Sequence, residues 1–299
     1  MNHIFYETTF GVEIETVGIA RSRAAEIIAN YYGTRTRYAG SHYDTYEAYT
    51  RDGRAWKCMK DGSLSDCNGG CEVVTPILRY EDMDDLQNIV RALRSAGARV
   101  DSSCGLHVHI GADRHDAYTL TRLCNMMLKR QPLINDALQN WDRSTWCKPL
   151  KPALVSAMRS CPKTKEAFAD VWYGRLNDGG DSYRSYHYNQ TRYHGINLHA
   201  YYTKGTVEFR LFNGTLHAGK IKAYVQFCLA MSTYAIGSNE TMHTNCSARF
   251  ENTANMTPIQ KYKAMVNFLE NRLDLKGAEF ATCRTHMTAA LKQAANLAA

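Results

Sequence analysis

The sequence predicts an α+β fold in which a mainly antiparallel sheet lays its aliphatic side against helices. Two observations carry this. Several short stretches alternate aliphatic residues with Glu, His or Arg at a period of two, the mark of strands with one apolar and one polar face. Segments of helical periodicity separate these stretches and then fill the chain's last third, so the strands gather around the middle of the fold and the helices line its back.

In chain order, Gly11-Val-Glu-Ile-Glu15 is the first strand, with Val12 and Ile14 on one face and Glu13 and Glu15 on the other. Arg21 to Tyr32 reads as a helix with Ala24, Ile27, Ile28 and Tyr31 on one side and Gly33 as its stop. Residues 36–60 alternate aromatic and polar residues around a turn at Asp52-Gly53, a hairpin signal whose outgoing strand runs from Ala55 to Lys60. A loop over 65–71 leads to Glu72-Val-Val-Thr-Pro-Ile77, with Glu72 at the start of a strand. Residues 81–96 form an amphipathic helix whose apolar stripe is Met83, Leu86, Ile89, Val90 and Leu93. Acidic residues fill its first turns, Arg91 and Arg94 its last, and Gly97 ends it, in keeping with the helix dipole.

The central strand, Cys104-Gly-Leu-His-Val-His-Ile-Gly111, opposes Leu106, Val108 and Ile110 to His107 and His109. Helical patterns fill 114–140, with a break expected at Pro132. From 142 to 192 the periodicity fades into Pro- and Gly-marked loops with one helix near 163–173, which reads as a loop-rich insertion at the edge of the site. A hairpin pairing Tyr193 to Leu198 with Thr206 to Phe212 is expected to turn near Lys204-Gly205. The second arm sets Val207, Phe209 and Leu211 against Glu208 and Arg210. Helices over 218–236, from the capping box Thr257-Pro-Ile-Gln260 to about 274, and over 280–296 complete one domain spanning 1–299, helical from 218 on.

If the strands share a sheet, Glu13, Glu15, Glu72, His107, His109, Glu208 and Arg210 converge on its open face. Polar strand faces are ordinary. Solvated ones favour Thr and Lys, however, whereas these offer Glu, His and one Arg, a ligand set with a cation for an anionic substrate. Carboxylates suit Mg²⁺, and a histidine shifts the balance toward Mn²⁺. Residues i and i+2 on a strand lie roughly 6.5 to 7 Å apart, so Glu13 and Glu15 suit two neighbouring ions better than one. His107 is the better metal ligand, with His109 in support. No GxxxxGK[ST] loop is present to hold a nucleotide, which would be held through its metal ions and through Arg210, Arg192 and Asn197. A cross-strand ion pair with a glutamate is the plainer role for Arg210, and the two coexist.

Bulk composition sets the frame. The 299 residues are 44% hydrophobic and carry a formal charge of +7. No run of 18 apolar residues occurs and MNHIFYETTF lacks the blocks of a signal peptide, so a soluble, cytoplasmic protein without membrane contact is expected. The ten cysteines are scattered and read as reduced thiols; Cys58, Cys67 and Cys71 cluster at a spacing that matches no common zinc module. Residues 142–204 hold ten Lys/Arg against five Asp/Glu and are rich in Tyr. That basic segment invites an anionic partner, and tyrosines such as Tyr183, Tyr186 and Tyr188 offer stacking faces.

Five runs in order, FGVEIE at 10–15, DGSL at 61–64 with EVVTPIL at 72–78, CGLHVHIG at 104–111, RYHGINL at 192–198 and GTVEFRLFNGTL at 205–216, resemble the amidoligase family, within the superfamily of glutamine synthetase and glutamate-cysteine ligase catalytic domains. The resemblance implies a glutamine synthetase-like curved sheet and ATP-dependent formation of an amide through an acyl phosphate. It makes Glu13, Glu15 and Glu72 metal ligands, His107 the histidine at metal and nucleotide, and Glu208 with Arg210 the pair at the phosphoryl-transfer centre. It offers no equivalent here for a further metal-site glutamate of glutamine synthetase, nor for its amino-terminal β-grasp domain. The substrates implied are a small-molecule or peptide carboxylate and an amine, which the basic segment favours in a form attached to a nucleotide, a nucleic acid or an acidic peptide. Two alternatives stand beside this: a metal-dependent hydrolase using the same ligands, and a nucleic-acid-binding protein using the basic, Tyr-rich segment.

Overall fold

The computed structural model describes residues 2–66, 70–140, 145–174, 184–239 and 251–296. Among them, eight strands form one antiparallel sheet in the order β2-β3-β4-β5-β1-β6-β8-β7. The strands are β1 (Phe10–Thr16), β2 (Thr36–Gly40), β3 (Thr45–Tyr49), β4 (Ala55–Met59), β5 (Cys71–Val74), β6 (Gly105–Gly111), β7 (Ile196–Asn197) and β8 (Thr206–Asn213). Helices α1 (His3–Glu7), α2 (Arg21–Tyr32), α3 (Met83–Ser95), α4 (Ala117–Leu138), α5 (Pro152–Ser160) and α6 (Lys165–Tyr173) precede β7. A short α7 (His199–Lys204) joins β7 to β8, and α8 (Ala218–Gly237), α9 (Pro258–Asn267) and α10 (Ala281–Ala294) follow.

Alternation does what the sequence implies. Val12, Ile14, Cys71, Val73, Leu106, Val108, Ile110, Val207 and Phe209 turn to one side and are buried in a continuous core that runs from Phe5 to Leu291. Helix α2 packs on β3, β4 and β5, and α8 on β6 and α3. Gly33 (φ 68°) and Gly97 (φ 100°) end α2 and α3 in left-handed conformations where a side chain would be strained. The stripe of Met83, Leu86, Ile89, Val90 and Leu93 is fully inside, each side chain contributing about 1.5–3 kcal/mol by leaving water.

Five expectations change. In α2 the buried set is Ala24, Ala25, Ile28, Ala29 and Tyr32, leaving Ile27 and Tyr31 partly covered, because the helix leans its small residues on the sheet. Pro132 does not break α4, which runs through it. The 142–192 segment holds two helices, since Pro152 starts α5 at its first turn, where a missing N–H costs nothing. The strand before α7 is only Ile196–Asn197, and the connection to β8 is a helix rather than a tight turn. Residues 36–60 contain a second reversal at 41–44 that splits them into three strands.

The capping box at Thr257 and Gln260 is present, with proline at the first position of α9. Among the described residues the buried Cys58, Cys71, Cys124, Cys228 and Cys283 are thiols outside any disulfide, and Cys67 lies outside the described residues. No helix among the described residues is long and apolar enough to cross a membrane.

Candidate active site

The polar face of β5, β1, β6 and β8 carries the site. Cross-strand register sets Glu15 opposite Glu72, Glu13 opposite His107, and His109 opposite Glu208. Residues far apart in the chain therefore form one continuous row. The β6–β8 ladder slips between Leu106 and Val108, where β8 supplies an extra residue. Such a bulge lets Leu211 and Phe212 both enter the core while Glu208 and Arg210 stay on the site face.

This face is not open as expected. His107 and Glu208 are each 2% exposed and Arg210 is 5% exposed. The face forms the floor of a cleft of about 720 Å³, walled by Tyr43, Trp146, Tyr188 and Tyr193. The hydroxyls of Tyr43 and Tyr188 meet at 2.8 Å, joining the 41–44 reversal to the segment before β7.

Hydrogen bonds fix the two imidazoles differently. His107 Nδ1 donates to Glu13 Oε2 at 3.0 Å, and His109 Nε2 donates to Glu13 Oε1 at 3.0 Å. His109 Nδ1 lies 2.9 Å from the Thr206 hydroxyl oxygen, so both its nitrogens are engaged. His107 Nε2 is buried with no hydrogen-bond partner and lies 3.8 Å from Glu15 Oε1. A neutral ring that donates through Nδ1 keeps a lone pair on Nε2, the form a metal ligand requires. Glu15 is anchored by the Gly105 N–H through its other oxygen at 2.5 Å.

Glu208 is held from two sides, accepting from Arg210 Nη1 at 2.6 Å and from Asn197 Nδ2 at 2.7 Å. Asn197 is thereby spent inside the protein, its oxygen accepting the His199 N–H at 2.8 Å, so it positions Glu208 rather than facing the cleft floor. Arg210 keeps a buried Nε without a partner and lies 6.0 Å from the centre of the Tyr193 ring. Arg192 lines the cleft from a 3₁₀ turn rather than from a strand, its guanidinium against Tyr188 and Tyr193 and its Nη1 donating to the His187 carbonyl at 3.2 Å. Tyr186 and Tyr188 are exposed, and Tyr183 lies outside the described residues.

Charge decides the titration of the carboxylates. Burial alone would raise Glu13, but His109, the imidazole hydrogen bonds and Lys204 hold its pKa well below the usual range. Burial likewise opposes Glu208, yet Arg210 and His109 bring it down to about 2. Glu72 goes the other way: burial, then the charges of Glu13, Asp61 and Glu15, push it well up. That crowding is what a divalent cation relieves.

The residues fit such a cation. Glu13, Glu72 and His107 form one group, Glu13, His109 and Glu208 a second, and Glu15, Asp61 and Glu72 a third, each with ligand atoms within 4.8 Å of one another. Glu13 and Glu15 fall in different groups. Asp61 was not read from the sequence, although it stands in the DGSL run; its Oδ1 is bound by the Ser63 N–H and hydroxyl, both at 2.7 Å. Lys204, whose Nζ donates to Glu13 Oε1 at 3.2 Å, was missed as well, as was Thr206. Neither carries a local signal, since each acts only through a residue distant in sequence.

A family model described as "Putative amidoligase enzyme" matches residues 6–232. No curated protein matches the chain. Among solved structures, the chain is similar to the crystal structure of a bifunctional glutathione synthetase from Pasteurella multocida, at 12% identity and a TM-score of 0.44, over 98% of this chain and 49% of that one. The chain thus spans about half the length of that protein.

Proposed function

The chain belongs to this amidoligase family, an assignment of amide-bond-forming ligase in general, and from that premise we propose that it is an ATP-dependent carboxylate-amine ligase working through an acyl phosphate. The wider kinship with glutamine synthetase catalytic domains is part of the same reading. One observation supports it above the rest: three overlapping carboxylate and imidazole groups line the floor of one cleft beside a buried arginine, and His107 Nε2 among them is buried with no hydrogen-bond partner.

Glu13, Glu15, Asp61, Glu72, His107 and Glu208 would hold Mg²⁺ or Mn²⁺, which supplies charge neutralisation for a polyphosphate. The chain's own residues do the rest. A substrate carboxylate oxygen attacks the γ-phosphorus of ATP, the bond to the β,γ-bridging oxygen breaks, and ADP leaves. An amine nitrogen then attacks the acyl carbon, the carbon–oxygen bond to phosphate breaks, and the surplus amine proton passes to solvent. Arg210, locked by Glu208, keeps a fixed positive charge at the floor, where the transferring group develops negative charge. Arg192 adds a second cation from the wall, and the tyrosine walls keep water from the acyl phosphate.

The test needs no knowledge of the amine. The purified protein is incubated with Mg²⁺, ATP and a panel of carboxylates in hydroxylamine, and hydroxamate is read by its ferric colour. Transfer of ¹⁸O from a labelled carboxylate to phosphate marks the acyl phosphate. Hydroxamate that forms only with ATP supports the ligase; bond cleavage without ATP by a metal-loaded protein would instead identify a hydrolase.

A further inference from the structure

Lys204 ends α7, and Gly205, at φ 68°, turns the chain from it directly into β8. Its ammonium donates to Glu13 Oε1, the same oxygen that accepts from His109 Nε2. Glu13 belongs to two of the three cation-binding groups, with Glu72 and His107 in one and with His109 and Glu208 in the other. An ammonium on that oxygen and a divalent cation bound through the same carboxylate are like charges in contact. They compete for its charge.

The lysine reaches Glu13 from the edge of the site. Its side chain is 47% exposed while Glu13 is 13% exposed, so the arm is tethered but not packed in place. It borders both the main cleft and a smaller pocket of about 90 Å³ beyond Glu208, shared with Arg192, His187 and Ser185. Once displaced from Glu13 it finds no free carboxylate at Glu208, which Arg210 and Asn197 already hold. Glu72 also faces it, but Glu72 and Glu208 both belong to cation-binding groups, so the partner left to the ammonium once a cation is bound is an anionic group brought into the cleft.

We infer that Lys204 is a positioning residue acting as the site's own counter-cation: it neutralises Glu13 in the metal-free protein, yields that oxygen to the incoming divalent cation, and pairs with the anionic group of the substrate that arrives with the metal. This rests on the ligase reading of the site. Metal and nucleotide then bind with positive coupling, because each removes a cost the other would face alone.

The experiment measures Mn²⁺ binding to the full chain by electron paramagnetic resonance without nucleotide, for the parent, Lys204→Met, Lys204→Gln and Lys204→Arg. Removing the competing charge is expected to tighten Mn²⁺ binding about tenfold in the Met and Gln variants, a shift of ~1.4 kcal/mol, while Lys204→Arg stays near the parent. The same two neutral variants are expected to bind the nonhydrolysable analogue AMP-PNP with Mg²⁺ about tenfold more weakly, by the same conversion. Opposite signs are the signature, since a merely structural lysine would weaken both. If the parent binds Mn²⁺ and the neutral variants bind it no tighter, the inference is overturned and the metal site stands. A parent that binds no Mn²⁺ at millimolar concentration overturns both together.

Discussion

Glu208→Gln in the metal-free protein isolates the energetics of the site from its chemistry. Glu208 and Arg210 side chains are 3% and 6% exposed and meet at 2.6 Å, so the substitution leaves a guanidinium buried without its carboxylate. Removing one partner of such a pair costs about 3–5 kcal/mol. A glutamine also presents an NH₂ group where Glu208 accepts from either Arg210 or Asn197, placing donor against donor on one side. Relief of repulsion between Glu208 and Glu13 offsets part of the loss, but Arg210 outweighs Glu13 in holding Glu208 ionised, so the net sign is destabilising. At about 3 kcal/mol net, and about 2 °C per kcal/mol for a chain of this size, the unfolding midpoint should fall by roughly 6 °C. Circular dichroism in EDTA reads this directly, and Glu208→Gln/Arg210→Met should recover most of the loss because no charge is then left unpaired. A single variant melting within 1 °C of the parent would refute the claim that this pair is buried and coupled.

Further outcomes follow from the same geometry. Glu72, whose pKa is raised, makes the metal-free fold less stable as pH rises from the ordinary carboxyl range through its elevated value, because the folded state binds the proton more tightly than the unfolded one. Glu72→Gln should flatten that decline in midpoint-versus-pH curves, and an unchanged slope would contradict the crowding. Glu208 works in reverse, its stabilisation being present above the ordinary carboxyl range and lost as pH falls toward about 2. Arg210→Lys keeps the charge but loses the planar fork, so turnover should drop by about tenfold or more with nucleotide affinity within about twofold, and equal loss of both would make Arg210 a binding residue. Gly214→Ala would bring a Cβ within 2.6 Å of Cys104 Cβ and 2.9 Å of its carbonyl oxygen, where neither side can yield, and about 1–3 kcal/mol should be lost in denaturant titration.

Local pattern alone determined which side chains share a face. A period of two sends Glu13 and Glu15, His107 and His109, and Glu208 and Arg210 to the side opposite their aliphatic neighbours whatever those strands pair with, and terminal glycines at 33 and 97 end α2 and α3 for reasons internal to each helix. Which strands lie side by side is a non-local choice, and only the tertiary structure sets β5, β1, β6 and β8 adjacent so that residues 72, 13, 107 and 208 meet. The same limit hid Asp61 and Lys204, whose roles depend on carboxylates distant in sequence. It also hid the cover over the site: alternation distinguishes polar from apolar faces but not a wet polar face from one buried under tyrosines of another segment, and that difference makes Glu208 and Arg210 a buried pair whose loss costs stability as well as chemistry.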